Sequence, residues 1–92
     1  MASATVILPA ILREKAGNQK RVEVGCGTVR EIIAELERRF PGMQFSLCYE
    51  TGELRPYVNI YLERENIRSL QGLETPVQAG ASVRILPSVA GG

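Results

Sequence analysis

The sequence contains no histidine. That absence removes the commonest general base, the usual middle member of a nucleophilic triad and the commonest zinc ligand outside all-cysteine sites. Any chemistry involving this chain is expected to draw its catalytic groups from a partner, and no metal site is expected. An excess of one charge is missing too. Eleven basic residues face ten acidic ones, for a net charge of +1. Such a balance gives no overall field for nucleic acid or an anionic membrane. The basic residues are scattered through "LREK", "QKR" and "ERR", so they read as solvated faces rather than a nucleic-acid patch. No apolar run approaches the about 18 residues of a membrane span. "VILPAIL" is interrupted by Pro9, and no basic segment precedes it, so it does not read as a secretory signal.

Cysteine is scarce. Cys26 and Cys48 form no C-x-x-C motif. The expected setting is cytoplasmic with both thiols reduced. Both are expected to be partly buried rather than catalytic. Cys48 is the thiol for which crosslinking stays open.

What remains is an ordinary globular composition, 45% hydrophobic and 23% charged. Ninety-two residues allow one domain and one core. A chain this short buries only about 60 to 65% of its unfolded surface.

Residues 4 to 12 open as a strand, with Val6 and Leu8 alternating against Thr5 and Ile7 until Pro9. Residues 14 to 20 are loop chemistry around Gly17 and Asn18. Residues 20 to 24 alternate again, Val22 and Val24 inward, which predicts an antiparallel hairpin. Residues 25 to 40 carry the clearest signal. Thr28 and Glu31 have capping-box spacing. Val29, Ile32, Ile33, Leu36 and Phe40 then form one apolar stripe, and Pro41 and Gly42 stop the helix. Residues 43 to 57 read mostly as loop, with a turn at Thr51 and Gly52. A strand follows at 57 to 62. Residues 63 to 77 are expected to hold a turn at Glu65 and Asn66, an extended piece at Ile67 and one helical turn near Leu70 to Leu73. After a turn at Gly80 comes the final strand, Val83 and Ile85 inward, Arg84 and Leu86 outward.

One helix with one apolar stripe needs one sheet face to cover. The expected fold is α+β: a mixed sheet of four to five strands wrapped around one helix, with the first and last strands side by side and parallel. That is the β-grasp arrangement. The globular part is expected over residues 1 to 86, with a flexible tail from 87 to 92.

Three motifs invite a function. "GCGTVR" stands where a phosphate loop would, but Arg30 occupies the third glycine position and no Walker pattern exists. It reads as a tight turn feeding a capped helix. Glu63 and Glu65 suggest paired carboxylates, yet nothing suggests a desolvated pocket, so they read as surface charges. Tyr57 and Tyr61 share a strand face without the basic neighbours of a base-stacking platform.

The sequence ends "SVAGG". A frayed end is the ordinary reading. However, the last strand runs almost into this segment, and its residues are uncharged and lose bulk from Val89 through Ala90 and Gly91 to Gly92. Six extended residues reach roughly 20 Å, enough to enter a neighbour's cleft. The only functional group at the tip is the Gly92 carboxylate. Joined to AMP it becomes an acyl donor, and a sulfur nucleophile then yields a thiocarboxylate. No base within this chain is required.

These features together resemble the small ubiquitin-like sulfur carriers of the ThiS, MoaD and CysO types. The resemblance spans the whole chain and rests on Gly91 and Gly92, the preceding "ILPSVA", "TVREIIAEL", "YVNIYLERENIR" and "LQGLETPVQAGASVRILP". It implies a protein cosubstrate rather than an enzyme, with no cofactor of its own. An adenylyltransferase related to ubiquitin-activating enzymes, of the MoeB, MoeZ or ThiF type, would bind ATP and Mg²⁺ and adenylate Gly92. A sulfurtransferase would then supply sulfur, and a cysteine-synthase-like enzyme would accept it. Gly91, Ala90 and Val89 would thread into the partner, while Leu86, and more weakly Arg84, would contact it. "PAILR", "VNIY", "ENIRSLQGLET" and "ILPSVAGG" look most like the carriers of cysteine synthesis. A molybdopterin synthase small subunit, a carrier for a sulfur-containing natural product and a protein-conjugating modifier stay open as alternatives.

Overall fold

The computed structural model describes residues 2–87. Its elements, in chain order, are β1 (Ser3–Ile7), α1 (Ala10–Arg13), β2 (Arg21–Gly25), β3 (Gly27–Thr28), α2 (Val29–Arg39), α3 (Met43–Leu47), β4 (Val58–Leu62), β5 (Glu65–Asn66), β6 (Pro76–Val77) and β7 (Ser82–Pro87). Short 3₁₀ turns lie at Glu14–Ala16, Ile67–Ser69 and Gly72–Glu74.

The five-stranded sheet has the order β2-β1-β7-β4-β5. β1 pairs antiparallel with β2 and parallel with β7, and β4 pairs antiparallel with β7. The expected parallel neighbours are therefore present, and the last long strand is interior. Alternation sets the faces. Ala4, Val6, Val22, Val24, Val58, Ile60, Val83 and Ile85 are buried, and all belong to one side. α2 lies against that side with Val29, Ile32, Ile33 and Leu36. This is the β-grasp fold.

The helix begins where the sequence places it. Thr28 Oγ1 accepts from the Glu31 amide at 3.2 Å, and Glu31 Oε1 accepts from the Thr28 amide at 2.8 Å. The box also dictates the residue before it. A Cβ on Gly27 would stand 2.6 Å from that same Oε1, and the Gly27 φ of 153° is one that side chains rarely adopt. β3 and β6 pair beneath the helix start as a separate ribbon, too short to show an alternation in the sequence.

Several expectations need correction. The segment read as strand over 4 to 12 is extended only to Ile7: Pro9 stands at the N-cap of α1, which buries Leu12, and the loop expected from residue 14 opens with the 3₁₀ turn Glu14–Ala16. Residues 43 to 57 hold α3, whose Met43 and Leu47 are buried in the core. Five residues are too few to show a helical period. The turn expected at Glu65 and Asn66 falls two residues earlier, at Glu63 and Arg64, with Glu63 at φ 57°. Glu65 and Asn66 instead form β5 against Leu62 and Tyr61. Ile67 begins a 3₁₀ turn rather than an extended piece, and the helical turn expected near Leu70 covers Gly72–Glu74.

Ile33 is 3% exposed at the centre of the helix–sheet contact. Ile33→Ala is expected to cost about 2 to 5 kcal/mol by leaving a cavity, measured by urea unfolding of both proteins. A loss under 1 kcal/mol, on the order of a surface change, would contradict this packing.

Candidate functional site

β7 positions the residues of interest. Leu86 stands opposite Asn59 of β4 and is 42% exposed on the sheet face away from α2. Arg84 is exposed on the same face, between Ile7 of β1 and Tyr61 of β4. Both point outward because Val83 and Ile85 take the inward positions. Pro87 closes the strand opposite Val58, one residue past the sequence boundary of the domain. Proline is tolerated at such a strand end because the ladder no longer needs its missing N–H. Val89, Ala90, Gly91 and Gly92 lie outside the described residues.

The other candidates are not brought together. The "GCGTVR" loop holds its own anion: the Glu31 carboxylate occupies the helix start, so the structural reading of this turn stands. Glu63 and Glu65 form no acid pair. Glu63 accepts from the Ser82 amide at 2.6 Å, and its own amide donates to the Ser82 carbonyl at 2.9 Å. That two-point clasp holds its left-handed backbone and ties the β4–β5 turn to the start of β7. Glu65 is exposed. Tyr57 is 46% exposed just before β4, while Tyr61 is half-buried within it. Among the described residues, no cluster of cysteine and carboxylate side chains is placed to hold a metal, and no helix is long and apolar enough to cross a membrane.

The expectation that both cysteines are partly buried holds for Cys48 and fails for Cys26. Cys26 is exposed in the turn after β2, and Cys48 is buried. Cys48 follows α3 and packs into the core there, which the loop reading of that region concealed. Burial pushes its thiol pKa up, against a smaller opposing pull from Arg30 and Arg55. Less of it is thiolate at neutral pH, and thiolate is the reactive form.

One surface feature escaped the sequence reading altogether. Arg55 lies between the rings of Phe45 and Tyr49, 4.8 and 4.7 Å from their centroids, and donates to the Phe45 carbonyl at 3.0 Å. The four-residue spacing of Phe45 and Tyr49 was its only sequence signal. Nearby, Arg68 donates to the carbonyls of Arg55 and Val58 at 2.9 and 2.7 Å, which fixes the entry into β4.

The sequence matches the ThiS family over residues 6–92. It is 40% identical over 92 residues to the sulfur carrier protein CysO of Mycobacterium tuberculosis, spanning 98% of this chain and 99% of that one. A chain in the crystal structure of the Amycolatopsis orientalis BexX/CysO complex superposes with a TM-score of 0.90 at 42% identity, covering 97% of this chain and 99% of the other. The solution structure of small archaeal modifier protein 1 from Methanosarcina acetivorans gives a TM-score of 0.85 at 32% identity, covering 100% and 98%.

The two thiols should differ sharply. In the native protein a disulfide-exchange reagent is expected to titrate one thiol, Cys26, with the second released only on denaturation. Equal rates for both would mean Cys48 is accessible. Leu86→Glu is expected to change unfolding free energy by no more than about 0.5 kcal/mol, as for a surface site. A cooperative loss of structure would mean that the β7 register is shifted by one residue.

Proposed function

This chain belongs to the ThiS family of ubiquitin-like sulfur carriers, and from that premise we propose that it carries sulfur on its terminal Gly92 as a thiocarboxylate. The observation that carries the reading is the family match running to residue 92, on a fold whose last strand is interior to the sheet. The globule supplies a rigid handle, and the reacting group belongs to residues that follow it.

The chemistry proceeds in two steps on partner enzymes. A Gly92 carboxylate oxygen attacks the α-phosphorus of ATP, and pyrophosphate leaves. Hydrosulfide from the sulfur source then attacks the acyl carbon, AMP leaves with the bonding pair, and loss of the S–H proton leaves the thiocarboxylate. ATP and Mg²⁺ belong to the adenylyltransferase, where the metal offsets charge on the phosphates. The chain itself is a cosubstrate and not an enzyme. The lack of histidine fits this division, because nothing in the carrier has to move a proton. Gly91 and Gly92 carry no Cβ, so their backbone can approach a bound nucleotide closely, and Ala90 and Val89 thread behind them.

The acceptor we propose is a cysteine-synthase-like enzyme, in keeping with the likeness to CysO of M. tuberculosis. The CysO of A. orientalis was crystallised in complex with BexX, so an accepting partner that binds the carrier directly is part of the proposal. The setting is the cytoplasm, where an anionic thiocarboxylate and free thiols stay reduced. Leu86 is the apolar contact offered to the activating enzyme, because a large side chain left 42% exposed on β7, six positions before Gly92 in the sequence, gains from being covered.

Intact-mass measurement tests this reading. After incubation with ATP, the cognate adenylyltransferase and a sulfur source, the mass is expected to rise by the difference between a sulfur and an oxygen atom. A chain lacking Gly91 and Gly92 should show no rise while keeping the wild-type unfolding midpoint. Leu86→Glu should slow the gain while remaining folded. An equal gain without the two glycines would defeat the proposal.

A further inference from the structure

Nine of the eleven basic residues are arginines. Five serve the fold. Arg13, Arg39, Arg55 and Arg68 donate to main-chain carbonyls, and Arg30 bridges Glu74 at 2.6 Å. Arg21, Arg38, Arg64 and Arg84 make no such contact among the described residues. Three of these four, Arg21, Arg64 and Arg84, line one open hollow of about 390 Å³ together with Ile7, Glu63 and Ser82.

Strand register explains the grouping. Ile7 stands opposite Arg21 on one side and Arg84 on the other, so the two arginines flank an apolar residue on the outer sheet face. With strands about 4.8 Å apart, their Cα atoms are about 10 Å apart. Arg64 closes the hollow from the β4–β5 turn. The one carboxylate in the lining, Glu63, is held by the Ser82 amide and forms no ion pair with the three guanidinium groups. Glu23 lies one row away and accepts from the Thr5 hydroxyl at 3.1 Å. Like charges gathered this way repel one another, and the arrangement gains only when an anionic surface covers it.

We propose that this hollow docks an acidic segment of the activating enzyme, with two carboxylates on Arg21 and Arg84 and an apolar side chain between them on Ile7. Guanidinium groups favour carboxylates through paired N–H donors. An isolated anion gains nothing from Ile7, whereas a peptide with an apolar residue between two acids does. Leu86 lies two residues from Arg84 on the same face of β7, so the surface is continuous with the apolar contact proposed above. The inference rests on adenylation of Gly92 being the reaction of this carrier.

The test is carrier-dependent ATP–pyrophosphate exchange by the cognate adenylyltransferase, measured against carrier concentration and salt. Simultaneous R21Q, R64Q and R84Q substitution is expected to raise the KM for carrier by about tenfold at low salt, to flatten its salt dependence and to leave kcat unchanged. R38Q, on the helix across the core, should change none of these. Circular dichroism establishes that the triple variant is folded, and the matching variant with R21K, R64K and R84K, which keeps the charge, should retain most of the wild-type KM. An unchanged KM and salt slope in the triple variant would overturn the inference. So would saturable binding of inorganic phosphate at the hollow, seen as amide shifts around Ile7, because it would mark a small-anion site. If the wild-type carrier itself supports no exchange, the failure lies with the proposed function and not with the hollow.

Discussion

The structure depends on one contact: the stripe of Val29, Ile32, Ile33 and Leu36 on α2 pressed against the inward side chains of a five-stranded sheet. A chain of this length has a single core, so the two surfaces must be matched along their whole extent. Everything inward on the sheet follows from that contact, and so does everything outward. Because Val83 and Ile85 face the helix, Arg84 and Leu86 cannot, and the outer face acquires its exposed leucine and its row of guanidinium groups without any further device. Core and candidate interface are two sides of one alternation.

Around this contact, charged side chains act mainly on backbone. Glu31 closes the helix start, Glu63 clasps Ser82, and Glu37 accepts from the Gly42 and Gln44 amides as the chain enters α3. Arg13, Arg39, Arg55 and Arg68 hold the carbonyls of Leu8, Glu23, Phe45 and Val58, one just past β1 and the others in β2, α3 and β4. Charge-assisted bonds of this kind are stronger than neutral ones. They suit a small domain whose loops have little core to rest on. The near-zero net charge therefore conceals a division of labour between side chains that brace the fold and side chains left over for a partner.

How much of this could be read from the sequence varied with the length of the element. Eleven residues of helix with a capping box, and strands of five or six residues with strict alternation, announced themselves. Pairing of the first and last strands followed from having one helix to cover. The misreadings of secondary structure all fall on pieces of five residues or fewer: α1, α3, the β3–β6 ribbon, the turn at Glu63 and the 3₁₀ turns at Ile67–Ser69 and Gly72–Glu74. These have no room for a period, and they owe their shape to contacts with distant residues. Cys48 is the clearest case. It is buried because α3 docks Met43 and Leu47, which no local pattern around the cysteine revealed. Leu86 and Arg84 were legible because face assignment in a long strand is binary. The arginine hollow was not, since it joins residues more than forty positions apart through sheet register.

The strand order has a mechanical side. β7 is bonded along one edge to β1 and along the other to β4. Any enzyme that takes hold of the residues after Pro87 and draws them inward pulls along the axis of a strand stitched on both flanks. Such a load is shared by many hydrogen bonds at once instead of peeling them one at a time. The carrier can thus be gripped by its end and hauled toward a catalytic centre while the globule behind it keeps its shape, like a cord spliced into a rope instead of knotted to its surface.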